Sequence, residues 1–511
     1  MPGADADVVQ TDETDLIAWA DRQYEISASA VLASISATHL VKERPGFGQS
    51  IRPLPGSVLA STALADWDPD PDYFFHWQRD SAVVIDALRL LIEDERFAAA
   101  ALARFKEFLA FSLSLNALDG PAFLRAAGDF RQNVQPWYLQ FVRADQETAA
   151  LTGDRILGEP RFNPDATLDI SKWSRPQHDG PAARALVLMR YWRLEILNEE
   201  SRRMMRLLIE ADLNFIFAHW REPSFDIWEE EKGEHYYTRL LHAAALEAGA
   251  LWLAETGAQE PAFVAARAAA REGLATLDSF WHTDQGFYVS RKNVENPAPG
   301  KVLDFAVILA VLHSGRKAGA HSLSDPRVMA SLAALEALFV RIYKINQQRT
   351  ELLAPALGRY ENDHYFSGGA YYFSTLGAAE FYYALAETQA KGAAFPETAE
   401  NESFHRCLGL SFDGQKPQER QRARIAALLC RGDQFLATVK AFTPASGEFS
   451  EQFDQTSGTQ TSAKTLAWSH AAFLSAFARR QAALRAQAAG LARAGCEKVG
   501  TGFSHKSRSN L

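Results

Sequence analysis

A chain of 511 residues, 47% of them hydrophobic and 23% charged, has the composition of an ordinary folded protein and excludes a disordered or fibrous one. Its formal net charge of -10 repels polyanions, which excludes nucleic acid as a partner and suits a neutral ligand. Three cysteines (Cys407, Cys430 and Cys496), with no paired metal-ligand spacing, exclude a disulfide framework.

Helical periodicity dominates the chain. Apolar stripes at helical spacing predict helices near 11–38, 81–95, 97–116, 180–198, 201–219, 234–256, 260–281, 301–314, 325–345, 373–391, 418–442 and 461–494. Val84, Ala87, Leu88 and Leu91 make one such stripe, and Ala185, Met189, Trp192 and Ile196 another. Alternating strand patterns are nearly absent, so the fold class expected is all-α. Between the helices lie long loops at 39–78, 117–135, 152–179, 220–233, 282–300, 350–372 and 443–460, a length that is unusual unless the loops are functional. The organisation expected is an N-terminal helix and lead-in over 1–40, one domain over 41–495, and a polar tail over 496–511. The acidic N-terminus lacks the pattern of a secretory signal, and apolar runs such as Val302 to Leu312 are too short to span a bilayer. A cytoplasmic protein without a membrane partner, monomeric or weakly oligomeric, is the expectation.

The loops hold five clusters that could carry chemistry. Phe225-Asp226-Ile227-Trp228-Glu229-Glu230-Glu231 presses apolar surface against carboxylates. Burial beside Trp228 and a neighbouring like charge would push one carboxyl upward, as a general acid requires, while the next stays ionised and binds hydroxyls. Glu451, in Ser450-Glu451-Gln452-Phe453-Asp454, supplies a second carboxylate far away in sequence, and glycoside hydrolysis needs two on opposite sides of one sugar. In the run from Asp72 to Ser81, Arg79 and Asp80 can grip sugar hydroxyls while Tyr73 and Trp77 offer ring faces. Trp173, Arg175 and Gln177 precede the helix start at Asp179-Gly180-Pro181, and Arg359 with Tyr365 lies in the run from Gly358 to Tyr365.

Each cluster also has a plainer reading: a solvated acidic run, a helix cap at Asp80 with Arg79 as its ion-pair partner, an ordinary helix start. Asp66, Asp68, Asp70 and Asp72 resemble a calcium loop only superficially, because Pro71 and Trp77 stand where glycine and glutamate are needed. With no phosphate cradle, HExxH, G-x-S-x-G or zinc-spaced set, neither metal nor cofactor is expected.

Taken in order, the segments YFFHWQRDS, GEPRFN with WSRPQHDGPA, FDIWEE, GRYENDHY, and SEQFD followed by LAWSHAA resemble the glucoamylase family of glycoside hydrolases, from about Asp72 to Arg480. The resemblance implies an (α/α)6 toroid with a pocket at one end. It implies an inverting, exo-acting hydrolase that releases β-glucose from the non-reducing ends of α-1,4- or α-1,6-linked glucans or oligosaccharides, with no cofactor. By the same resemblance Glu229 is the catalytic acid and Glu451 the catalytic base. Arg79, Asp80, Arg359 and Glu230 fall on positions that bind the terminal glucose, and Tyr73, Trp173, Tyr365 and Trp468 on aromatic positions around it. Trp77, Arg175, Ile227 and Trp228 complete the expected substrate-binding set.

Departures from the family pattern fall at Glu361-Asn362-Asp363, at Gly369-Ala370-Tyr371 and at Lys232, on the leaving-group side. They leave linkage and chain-length preference open, while the lack of a recognisable starch-binding module or N-terminal β-sandwich makes a soluble oligosaccharide or dextrin the expected substrate in preference to raw starch. Two alternatives stay open: a non-catalytic carbohydrate-binding or regulatory toroid, and a hydrolase of another α-glucosidic disaccharide such as trehalose or isomaltose. Retention of Glu229, Glu451, Arg79 and Asp80 speaks against the first, and the WSRPQHDGP run against trehalose.

Overall fold

A computed structural model describes residues 13–410 and 416–502. Twelve long helices carry it: α1 (Glu13–Ser34), α2 (Gln78–Leu91), α3 (Ala98–Asn116), α4 (Asp179–Tyr191), α5 (Glu199–His219), α6 (Tyr236–Glu255), α7 (Glu260–Leu277), α8 (Ala306–Ser314), α9 (Pro326–Ile342), α10 (Tyr372–Ala390), α11 (Pro417–Ala441) and α12 (Ala467–Gly502). Each coincides with one predicted helix.

The even-numbered helices close a ring in which α2 packs on α4, α4 on α6, α6 on α8, α8 on α10, α10 on α12, and α12 back on α2. The odd-numbered helices lie outside, with α5 on α4, α7 on α6, α9 on α8, α11 on α10, and α3 on α2 and α5. This is an (α/α)6 barrel. The inner helices read accordingly: nearly every residue of α4 and α10 is buried, so neither needs a polar face.

Several boundaries differ from expectation. Of the segment over 1–40, the described residues begin with α1, the expected N-terminal helix, which packs on α12 and α2 as an outer helix. The expected tail over 496–511 begins inside α12, whose backbone runs to Gly502, and the rest of it lies outside the described residues. Helix α4 ends at Tyr191, short of the predicted 198. Arg202 donates to the carbonyls of Trp192 and Leu194, and Asn198 caps α5 by accepting from the amide of Ser201. Ile196, the last member of the predicted stripe, is accordingly exposed. The loop expected over 117–135 contains a helix, Gly120–Ala127, capped by the Asp119 carboxylate. Eight residues are too few to display a repeating stripe. The strands are two to four residues long, below the length at which alternation can be read. Among the described residues no helix is long and apolar enough to cross a membrane.

One feature of this architecture positions the site. The loops that enter the N-termini of the inner helices, with the first turns of those helices, carry its residues: 67–80 at α2, 172–174 at α4, 227–230 at α6, 359–373 at α10 and 451–468 at α12, while 301–305 before α8 stands behind the wall with Lys301 and Asp304. The inner helices thus point their N-terminal ends, with their partial positive charge, toward one mouth of the barrel.

Candidate active site

At that mouth is a cavity of about 540 Å³, within the usual range for ligand pockets. Tyr73, Trp77, Arg79, Asp80, Trp173, Ile227, Trp228, Glu229, Glu230, Arg359, Tyr365, Glu451 and Trp468 all line it. Of the residues expected from sequence only Arg175 is absent. Its guanidinium turns into the protein, where it donates to the carboxylates of Glu159 and Asp169 and to the carbonyl of Ser171. Gln177 is likewise not free to meet a ligand, since its side-chain oxygen accepts from Arg79 at 3.0 Å.

The three consecutive glutamates separate because Asp226 organises their turn. Its carboxylate accepts the amides of Glu230 and Glu231, each at 2.8 Å, while its carbonyl accepts the amide of Glu229 at 3.0 Å. Glu229 sits at φ 66°, a left-handed conformation that costs a non-glycine residue energy and recurs at functional sites. The side chains then fan out. Glu231 faces away, paired with Arg291.

Glu230 accepts from Arg359 at 2.9 Å, from the Tyr360 hydroxyl at 2.6 Å and from Lys301 at 2.5 Å. Glu229 accepts the indole N–H of Trp77 at 2.9 Å and that of Trp173 at 2.5 Å, with Arg79 Nη2 at 3.2 Å. Trp228 was expected to supply the apolar contact to Glu229. Instead it gives its N–H to both oxygens of Asp304, at 2.9 and 3.1 Å, and stacks on Phe373, which stacks in turn on Trp468. These three rings form an aromatic floor.

Glu451 comes from the opposite side of the sequence and keeps its own donors. Ser462 donates to Oε2, and the Tyr73 hydroxyl lies 3.4 Å from Oε1 and 2.7 Å from the hydroxyl of Tyr365. Burial pushes the Glu451 carboxyl up to about 7, against the pull of Ser462 and Arg359. Tyr73 packs on Trp77 with ring centroids 5.2 Å apart, so the ring that donates to Glu451 lies against a ring that donates to Glu229.

Two guanidinium–carboxylate pairs complete the cavity. Arg79 is anchored through Nη1 to Asp179 at 2.8 Å, while its buried Nε has no hydrogen-bond partner. The nearest Asp80 oxygen is 3.8 Å from that Nε, too far for a hydrogen bond, and burial pushes Asp80 up to about 6. Asp80, whose side chain keeps some exposure at the wall, is left to meet a ligand hydroxyl. Arg359 is held by a bidentate pair with Asp363, at 2.6 and 2.7 Å.

Sequence reasoning missed Trp67, Lys172, Ser174, Phe373 and Leu466 on the wall, and Ser462, Lys301 and Asp304 behind it. Ser174, Leu466 and Asp363 stood inside segments already singled out, WSRPQHDGPA, LAWSHAA and GRYENDHY. Asp66, Asp70 and Asp72 are spent on Lys42, Lys464 and Arg44, which accounts for that acidic run.

Residues 125–478 match the sequence pattern of "Glycosyl hydrolases family 15". Glucoamylase-1 of Schizophyllum commune is 28% identical over 94% of this chain and 77% of its own length. The probable glucoamylase of Schizosaccharomyces pombe is 28% identical over 92% of this chain and 93% of its own length. Among solved structures, the family 15 glucoamylase from Hypocrea jecorina superposes with a TM-score of 0.73 at 26% identity, covering 91% of this chain and 72% of its own.

Proposed function

The chain belongs to Glycosyl hydrolases family 15, and from that premise we propose that it is an inverting, exo-acting α-glucan hydrolase releasing β-D-glucose from non-reducing ends. One observation carries the reading: two carboxylates with separate sets of donors, Glu229 and Glu451, line one cavity together with the Arg79–Asp80 and Arg359–Glu230 pairs.

In this reading the terminal glucose places its hydroxyls on those two pairs, with Trp228 and Trp468 beneath it. Glu229 gives a proton to the glycosidic oxygen as the bond from the anomeric carbon to that oxygen breaks. Glu451 takes a proton from the water that attacks the anomeric carbon from the other face, and the new hydroxyl is β. The pair ends with its protonation reversed and resets by exchange with solvent. Arg79 and Arg359, each anchored by an aspartate that offsets its charge, serve to fix the orientation of the sugar.

The test is proton NMR of the protein with maltose and isomaltose in parallel, which reads activity, linkage and anomer together. β-Glucose is expected as first product from at least one of them, and α-glucose would overturn inversion. Glu229→Gln and Glu451→Gln are each expected to lower turnover by at least ~10²-fold with little change in substrate binding. Normal turnover in either variant removes that residue from its role.

A further inference from the structure

We propose that Asp304 is a positioning residue for the terminal sugar, acting through Trp228 by setting the orientation of that ring in the cavity floor. This inference rests on the reading above, in which the sugar lies over Trp228.

Stacking leaves one freedom of the floor unfixed. Trp228 lies over Phe373 with ring centroids 6.0 Å apart and 20° between the planes, and the guanidinium carbon of Arg359 stands 5.3 Å from the centre of the Trp228 ring. Contacts with the faces of a ring set its height and tilt, but they hold it weakly against rotation within its own plane. The Trp228 main chain is held by the Asp226 carboxylate, which accepts its amide at 3.3 Å. Rotation in the plane falls to the one polar atom of the side chain, the indole N–H, and that atom donates to Asp304.

Asp304 is mounted rigidly enough to hold such a contact. It is buried, its Oδ1 accepts the amide of Ala306 at 2.8 Å at the start of α8, and its carbonyl accepts the amide of Val307 at 3.2 Å. An antiparallel bridge joins Asp304 to Tyr360, with the amide of Phe305 donating to the carbonyl of Arg359 at 2.8 Å. Asp304 therefore fixes the ring relative to Arg359, the residue that holds Glu230 in the cavity. The chain leading to it serves the neighbours of Trp228 in the same way, since Lys301 pairs with Asp226 and Glu230, and Arg291 with Glu231.

The residue type exceeds what the helix start needs. A serine would cap α8 as well, and it would avoid burying a carboxyl. Among the described residues Asp304 has no ion pair to offset that burial, and Lys301 is already spent on two other carboxylates. What the aspartate adds is reach, with its two oxygens 2.9 and 3.1 Å from the indole nitrogen.

The experiment is a double-mutant cycle on kcat/KM with the disaccharide that the wild-type protein hydrolyses. Asp304→Leu is made alone and together with Trp228→Phe, which keeps a stacked ring and removes the N–H. The expected result is a loss of at least about tenfold from Asp304→Leu in the wild-type background, and of less than about threefold in the Trp228→Phe background. Asp304→Asn, whose side-chain oxygen still reaches the indole, is expected to stay within about threefold of wild type. Asp304→Ser keeps a cap for α8 but falls short of Trp228, and it carries the same expectation through the same cycle should the leucine variant not fold. Equal factors in both backgrounds, or no loss in either, would overturn the proposal, because a residue that only supports the fold costs the same with or without the N–H. Calorimetric binding of maltose and isomaltose to Glu229→Gln protein carrying the same substitutions reads the coupling without turnover, with the same expectation. A wild-type protein that hydrolyses neither sugar would overturn the function proposed above, while the binding cycle would still decide the role of Asp304.

Discussion

The indole nitrogen of Trp173 lies 2.5 Å from Oε2 of Glu229, joining two loops that are 56 residues apart in sequence. The contact ties the position of one carboxylate to the loop that precedes α4. Trp173→Phe keeps the ring and removes the donor. A hydrogen bond to a charged group contributes about 1.5–3 kcal/mol, so kcat should fall about 10- to 100-fold with a smaller change in KM. Steady-state kinetics on the preferred disaccharide check this, and an unchanged kcat would take Trp173 out of the catalytic set.

Glu451 must be ionised to accept a proton from water, and burial places its carboxyl at about 7. The acid limb of kcat/KM is therefore expected near pH 7, with activity falling about tenfold per unit below it. Ser462 donates to the ionised form and holds the carboxyl down. Ser462→Ala should move the limb to higher pH, which a pH profile of kcat/KM measures. A limb that stays in place would show that another group governs it.

Lys301 is buried and spans Asp226 and Glu230, at 2.6 and 2.5 Å. Lys301→Met leaves the Asp226 carboxylate buried without its cation, an error that costs about 3–5 kcal/mol. Urea unfolding should show that loss. KM should rise as well, because Glu230 loses a donor that fixes it in the cavity. Stability within about 1 kcal/mol of wild type would count against the network.

Stability should vary with pH in two regimes. Burial lowers His76, His178, His313 and His470 to about 3 and His242 to about 4, so these groups stay neutral in the fold while the unfolded chain protonates below about 6.5. They remove stability as pH falls. Burial also raises Asp80 to about 6, and Asp304, Glu380 and Glu451 to about 7, so these carboxyls bind protons in the fold first and add stability as pH falls from 7 toward 4. The two sets oppose each other between about 4.5 and 6.5. Below about 4 the raised carboxyls are protonated in both states, while the histidines and the cation-paired Asp226, held well below the usual range by Lys301 against its burial, all favour unfolding. Calorimetry should find Tm nearly level across the upper window and falling steeply below pH 4. A maximum of Tm at pH 4 or lower would contradict the buried histidines.

Much of this was legible in the sequence, for reasons that differ between residues. The twelve long helices are written in stripes such as Val84, Ala87, Leu88 and Leu91, because burying one face of a helix imposes a local period. Trp77, Arg79, Glu229 and Glu451 were recognisable from short motifs, since each stands in a loop whose neighbours were also constrained. Arg175 misled because its motif gives a residue type and not a direction, and the direction was decided by Glu159 and Asp169. Ser462 and Lys301 left no local mark, as one serine or one lysine in a loop has no period and no partner nearby in sequence.

What the sequence by itself determined, then, is the set of inner and outer helices and the kinds of group delivered to the loops between them. Closing the ring decided the rest. Only when α12 returned to α2 did Tyr73 meet Glu451, whose sequence positions differ by 378. The same closure buried the carboxyls and arginines together, and it left Arg79 Nε and Arg161 Nη1 without partners. Those properties depend on distance and exclusion of water, which are set by packing in three dimensions and have no counterpart in the order of residues along a chain.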